Sequence, residues 1–138
     1  MGEATKFIDE LPKKIAWLKK ENIADIIKKD SERIDKEYQS CFFEDWANIT
    51  DNWSKFKDTE VKAHLASEIV FHELLDGKQM YEHYENPLSY ELSEDAKTIR
   101  EIACDVYNYV IWLQLKDLFP KARLTRDYCK KRVSRWLK

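Results

Sequence analysis

One stretch of the sequence, residues 93–119, constrains the fold more than any other. Ser93 is a favourable N-cap, acidic residues follow it in the first turn, and Pro120 ends the pattern. Apolar residues recur at steps of three and four and form one stripe along a helix: Ile99, Ile102, Ala103, Val106, Tyr109, Val110 and Leu113. A helix of this length, at about 1.5 Å per residue, is about 35–40 Å long and exceeds the width of a small domain. The other helices are therefore expected to lie along it.

The composition favours helices throughout. Charged residues make up 36% of the 138 residues, against only two Gly and three Pro, which suits helices with charged outer faces and short connections. The sequence therefore predicts one domain, residues 1–138, folded as a compact all-α bundle of four to six helices around a long central helix at about 93–119. Pro12 suits a first helical turn, and residues 12–42 fit either one long bent helix or two.

Cysteine usage and hydropathy bear on the compartment. Cys41, Cys104 and Cys129 are odd in number, far apart and without a CxxC pair, so they are expected to be reduced and to act as small core hydrophobes. No signal peptide is apparent, and no apolar run approaches the roughly 18 residues of a membrane span. We expect a cytoplasmic protein that does not enter a membrane.

Two pairs of carboxylates suggest a possible metal site. Glu68 and Glu73 lie on one predicted helix, and Glu101 and Asp105 on the next long one. Carboxylates one turn apart on two facing helices are a way for an all-helical protein to hold Mg²⁺ against a polyphosphate. This arrangement resembles MazG-type nucleotide pyrophosphohydrolases, in which ExxE on one helix and ExxD on a later one bind the metal. The resemblance covers residues 68–105 only, and the spacings differ, with four residues inside the first pair and three inside the second. It implies a Mg²⁺-dependent nucleoside triphosphate pyrophosphohydrolase as one alternative function.

A helical wheel tests that alternative. Glu101 and Asp105 point away from the apolar stripe of the central helix, beside Asn108 and Trp112. On the preceding helix, by contrast, Glu68 falls inside the apolar sector. Two helices packed through their apolar stripes would not bring all four carboxylates together, so the wheel argues against the metal site. No cofactor is expected outside this alternative, because phosphate-binding and catalytic motifs such as GxxxxGK[ST], GxSxG and HExxH are missing.

The same wheel places His72 one turn after Glu68, between Leu65 and Leu75. This predicts a buried polar pair, Glu68 and His72. One interpretation is a hydrogen-bonded pair with a purely structural role. The other is a functional pocket, since a buried imidazole beside a carboxylate has a perturbed pKa and could act as an acid, a base or a ligand.

Charge is unevenly distributed, although the total is only −2. Residues 116–138 hold nine Lys or Arg against two Asp, and residues 76–105 hold eight Asp or Glu against three Lys or Arg. The basic C-terminal segment, residues 121–138, could neutralise phosphates and stack single-stranded nucleic acid on Tyr128 or Trp136. Its candidate nucleic-acid-binding residues are Arg126, Lys130, Lys131, Arg132 and Arg135. The alternative is a solvated helix face with cations near a helix C-terminus.

Trp112 stands on the polar side of the central helix, so it is either covered by another helix of the chain or left for a partner. Asp105, Asn108 and Trp112 form the candidate partner-binding surface, together with the acidic region 76–105. The sequence favours a small intracellular, non-enzymatic interaction or regulatory subunit that docks on a protein or nucleoprotein partner. The Mg²⁺-dependent hydrolase and a nucleic-acid-binding module are the two alternatives.

Overall fold

The computed structural model describes residues 2–20, 53–85, 94–118 and 122–137. These ranges contain five α-helices and no strand: α1 (Glu3–Ile15), α2 (Trp53–Leu74), α3 (Gly77–Glu85), α4 (Glu94–Leu115) and α5 (Ala122–Ser134). Short 3-10 helices, Ala16–Lys20 and Lys116–Leu118, follow α1 and α4. The helices pack against one another, which confirms the predicted all-α bundle. None of the helices in the described ranges has both the length and the apolar character that a membrane crossing requires.

Helix α4 is the centre of the bundle, as the sequence predicts. It is in contact with every other described helix, and most extensively with α2. Its predicted apolar stripe is buried, with Ile99, Ile102, Val106 and Val110 no more than 2% exposed. The α-helical part ends at Leu115 and the 3-10 turn carries the chain on to Leu118, while the predicted cap at residue 93 and the stop at residues 119–120 lie outside the described residues.

Helix α1 begins earlier than the sequence prediction. It starts at Glu3 and contains Pro12 inside its length instead of in its first turn. The physical reason is an apolar stripe that already begins at residue 4: Ala4, Ile8, Leu11 and Ile15, all buried. Burial of this stripe stabilises the helix on both sides of the proline. Residues 21–42, and with them the question of one helix or two, lie outside the described part of the chain.

A second side of α4 is also buried, and this differs from the prediction. Asp105 and Trp112 were expected to face away from the core, but they are 5% and 7% exposed. Helix α5 packs against α4 and contributes Cys129 to the same core, and the turn after α5 contributes Trp136. Cys129 is therefore a core residue, as predicted for the cysteines, whereas Cys104 is exposed and contradicts that prediction. Cys41 lies outside the described residues.

Candidate functional site

Among the residues that the structure describes, the outward side of α2 is the most unusual surface. Val61 and Leu65 are 71% and 53% exposed, one turn apart on this helix. The opposite side of α2 is buried, since Ala63, Ala66 and Val70 have no exposed surface. Small side chains at a buried position let helix backbones approach closely, and α2 therefore packs tightly in the core on this side while Val61 and Leu65 face solvent. Val61 and Leu65 are therefore exposed, although apolar side chains of this size are usually buried.

Helix α3 also exposes aromatic side chains, and one of them contacts α2. Tyr81 and Tyr84 are 64% and 53% exposed, while Met80 of the same helix packs against the core. We call Val61, Leu65, Tyr81 and Tyr84 the outer face. Tyr84 is held to α2 by a hydrogen bond, because its hydroxyl donates to Glu68 Oε2 at 2.6 Å. This bond raises the pKa of the Tyr84 hydroxyl, since ionisation would place a second negative charge beside the carboxylate.

The predicted pair of Glu68 and His72 forms, but on the surface. His72 Nε2 lies 3.7 Å from Glu68 Oε2. The His72 side chain is 66% exposed and the Glu68 side chain is 40% exposed. The prediction of a buried pair is therefore wrong. Its cause is the orientation of α2, whose sector around Leu65 faces solvent because the side with Ala63, Ala66 and Val70 is the buried one. A solvated pair of this kind contributes little to stability.

The same arrangement occurs two turns earlier on α2. Glu60 Oε1 accepts a hydrogen bond of 3.0 Å from the Tyr107 hydroxyl and lies 3.6 Å from His64 Nε2. Burial raises the pKa of Tyr107, and the hydrogen bond to Glu60 raises it further. Glu60, His64, Glu68 and His72 thus alternate along one side of α2, and each carboxylate is oriented by a tyrosine hydroxyl.

An open groove runs between α2 and α4 beside the outer face. It has a volume of about 500 Å³. Phe71, Ala103 and Tyr107 supply its apolar lining, while His64, Glu68 and Asn108 supply polar groups. The His64 ring meets the Tyr107 ring edge-on, with ring centroids 5.3 Å apart. A groove with apolar walls and a few carboxylate and imidazole groups can hold apolar side chains of a bound molecule and pair with its cations.

The four carboxylates of the metal alternative are not brought together. Asp105 is directed at α5, where Arg132 Nε donates to its Oδ1 at 2.9 Å and Trp136 Nε1 donates to its Oδ2 at 2.8 Å. Glu101 is exposed on α4. In the described ranges, no three His, Cys, Asp or Glu side chains lie close enough together to hold a metal ion. The geometry therefore does not support a Mg²⁺ site at Glu68, Glu73, Glu101 and Asp105.

Only one member of the predicted partner surface reaches the groove. Asn108 is half-buried and lines it. Trp112 is covered within the chain, where it stacks on Tyr109 with ring centroids 6.2 Å apart and carries the Lys116 ammonium 5.8 Å above its ring. Asp105 is bonded to α5, so neither Asp105 nor Trp112 is available to a partner. The surface prediction was wrong for these two residues because it treated α4 as having one buried side.

Two of the three arginines predicted to contact nucleic acid are also buried. Arg132 and Arg135 are only 6% and 9% exposed. Arg132 bonds to Asp105, and the Arg135 guanidinium lies 4.8 Å from the centroid of the Trp136 ring. Burial raises the pKa of Asp105, while the charge and hydrogen bond of Arg132 oppose that shift. A buried carboxylate and an indole ring thus hold both guanidinium groups inside the protein. Of the other candidates, Lys130 and Lys131 are exposed, and the side chain of Arg126 lies outside the described part.

The residues that sequence reasoning missed are those of the outer face. The signal for them was present as small or short side chains at positions 63, 66, 67 and 70, which recur at helical spacing. Such a stripe is compatible with close packing against another helix, which leaves Val61 and Leu65 outside, but the apolar sector around Leu65 is a competing signal. Comparison of the chain with protein-family models, with curated proteins and with solved structures gives no match. What the protein does is therefore inferred from its own surfaces.

Proposed function

We propose that this protein is a non-enzymatic interaction subunit that binds an amphipathic helix of a partner protein along the outer face and the adjoining groove. The observation that supports this most is the exposure of Val61 and Leu65 on a helix whose opposite side is fully buried. Keeping such side chains in water forgoes about 1.5–3 kcal/mol each relative to burial. A partner that covers them recovers this free energy, whereas the isolated domain does not.

The shape of the surface favours a helical ligand. Val61 and Leu65 stand one turn apart on α2, and the groove beside them is walled by two helices, α2 and α4. A third helix laid along two others presents apolar residues at steps of three and four to such a groove. The ring of Tyr84, fixed to Glu68, gives the contact a rigid aromatic border.

The charges favour basic residues flanking that helix. Glu60 and Glu68 each use one oxygen for a tyrosine hydroxyl. Within the described residues, no donor reaches the second oxygen of either carboxylate, Glu60 Oε2 or Glu68 Oε1. The two carboxylates are eight residues apart, or about 12 Å along the helix. Lys or Arg residues on the partner at a similar separation would pair with both and fix the register.

A site-specific cross-link tests the proposal. A photo-reactive residue at position 65, introduced in the organism of origin, should capture one partner protein, and the cross-link should map to an amphipathic helix with flanking Lys or Arg. The matched control is the same photo-reactive residue at Ser134, which is exposed on α5. A peptide made from the captured helix should then bind the purified protein and lose at least ten-fold in affinity with Leu65→Asp. Equal capture from positions 65 and 134, or no capture from either, would contradict the proposal.

A further inference from the structure

A second cleft lies on another side of α4, where α1 and α5 meet the end of that helix. Its volume is about 450 Å³. Four lysines and two glutamates line it: Lys6, Lys14, Lys116, Lys130, Glu3 and Glu10. The cleft therefore carries an excess of positive charge, although the whole chain is slightly negative. It shares no lining residue with the groove between α2 and α4.

The lysines of this cleft differ in how well they are compensated. Lys116 pairs with Glu3 at 3.2 Å, and Lys14 lies 4.0 Å from Glu10. Neither Lys6 nor Lys130 forms an ion pair with any of the described residues. Both are exposed, and they belong to helices distant in sequence. Two ammonium groups without a carboxylate, brought to one cleft by α1 and α5, make it attractive to an anion with more than one negative charge.

The wall between the lysines is aromatic. The Phe7 ring meets the Tyr109 ring edge-on at a centroid distance of 4.9 Å, and Tyr109 stacks on Trp112. Phe7 and Tyr109 are only half-buried, so part of each ring is open to the cleft. A planar heterocycle stacks favourably on such a ring, by about 1–3 kcal/mol for a nucleic-acid base.

We propose that this cleft binds a phosphorylated ligand the size of a mononucleotide. Lys6 and Lys130 contact the phosphates, to which lysine binds as a point charge. The planar ring of the ligand lies against Phe7 and Tyr109. The volume of about 450 Å³ falls in the range of small-ligand sites, about 300–1,000 Å³. This proposal does not depend on the docking function of the outer face.

Calorimetric titration of the purified protein with ATP, without added metal, tests this assignment. ATP should bind, and adenosine, which has the ring but no phosphate, should bind at least ten-fold more weakly. The double variant Lys6→Gln with Lys130→Gln should lose at least ten-fold in affinity for ATP. Both lysines are exposed, so the variant is expected to remain folded, which circular dichroism checks.

The matched control is Lys57→Gln with Lys78→Gln, two exposed lysines on α2 and α3 outside this cleft. It removes the same charge and should leave ATP binding unchanged. Equal weakening in the two double variants would mean diffuse electrostatics and would overturn the proposal, as would the absence of ATP binding at millimolar concentration. A single-stranded oligonucleotide that binds more tightly than ATP, and is lost in the same variant, would overturn the small-ligand assignment in favour of nucleic acid.

Discussion

Helices α2 and α5 differ in which kinds of side chain they expose and which they bury. On α2, the aliphatic residues Val61 and Leu65 face solvent. On α5 and in the turn that follows it, Arg132 and Arg135 are among the most buried charged residues of the described chain. Hydrophobicity alone predicts the opposite, with the two aliphatic residues buried and the two arginines exposed. The contrast shows that packing against neighbouring helices decides which side is buried, and that a buried carboxylate can hold an arginine inside the protein.

The largest effect is expected at the carboxylate that holds α5. Replacing Asp105 with Ala removes the carboxylate that pairs with the buried Arg132 guanidinium, and loss of one partner of a buried pair costs about 3–5 kcal/mol. Urea unfolding measures this loss. The control Asp117→Ala removes an exposed carboxylate from the turn after α4 and should change the unfolding free energy by less than about 0.5 kcal/mol. Similar values for the two variants would show that Arg132 does not depend on Asp105.

The next largest effect is a difference in stability loss between substitutions of two buried tryptophans, Trp136 and Trp112. Trp136 donates its indole N–H to Asp105, whereas no acceptor among the described residues lies within reach of the Trp112 indole N–H. Trp136→Phe should therefore destabilise the protein by about 2 kcal/mol more than Trp112→Phe, since hydrogen bonds to charged groups contribute about 1.5–3 kcal/mol. Thermal and urea unfolding of both variants give the difference. A larger loss at Trp112 would contradict this assignment.

A smaller effect compares two valines of α2. Val70 has no exposed surface, and Val61 is 71% exposed. Val70→Ala removes two buried methyl groups and should cost about 1.5 kcal/mol. Val61→Ala should leave the unfolding free energy unchanged or raise it by about 0.3 kcal/mol, because alanine is the better helix former. A cost at Val61 equal to that at Val70 would place both sides of the helix in the core.

The smallest effect is the dependence of stability on alkaline pH through Tyr107, whose hydroxyl donates to Glu60. The pKa of Tyr107 is raised in the folded protein by burial and by its hydrogen bond to Glu60. An unfolded tyrosine loses its proton at about pH 10, so the folded state holds the extra proton above that pH. Stability linked to Tyr107 is therefore complete below about pH 10 and is lost as the pH rises further. Tyr107→Phe should make the alkaline decline in unfolding free energy shallower, as measured by urea unfolding at stepped pH. An unchanged decline would contradict the shift.

The fold class could be predicted from the sequence because the sequence contains one strong helical pattern. The apolar stripe of residues 93–119 needs only helical periodicity to be recognised, and its burial follows directly. The start of α1 was missed because Pro12 was given more weight than the stripe beginning at Ala4. In that helix, packing outweighed a local signal.

The candidate site was less accessible because it depends on pairs of helices. A wheel of α2 shows an apolar sector around Leu65 and a sector of small residues around Ala66, but not which of them meets α4. In the same way, Arg132 looks like a solvated cation until Asp105 is placed beside it. Sequence patterns give the sides of each helix, whereas the choice between two plausible sides requires the partner helix.

The orientation of α2 is most directly tested by the unfolding free energy of the Leu65→Asp variant. If the outer face is in contact with water, a charge at this position costs only the difference in helix propensity, about 0.5–1 kcal/mol. The variant should then unfold in urea close to the wild-type midpoint. A loss of about 3 kcal/mol or more would mean that the aspartate had entered the core, and would contradict the docking surface.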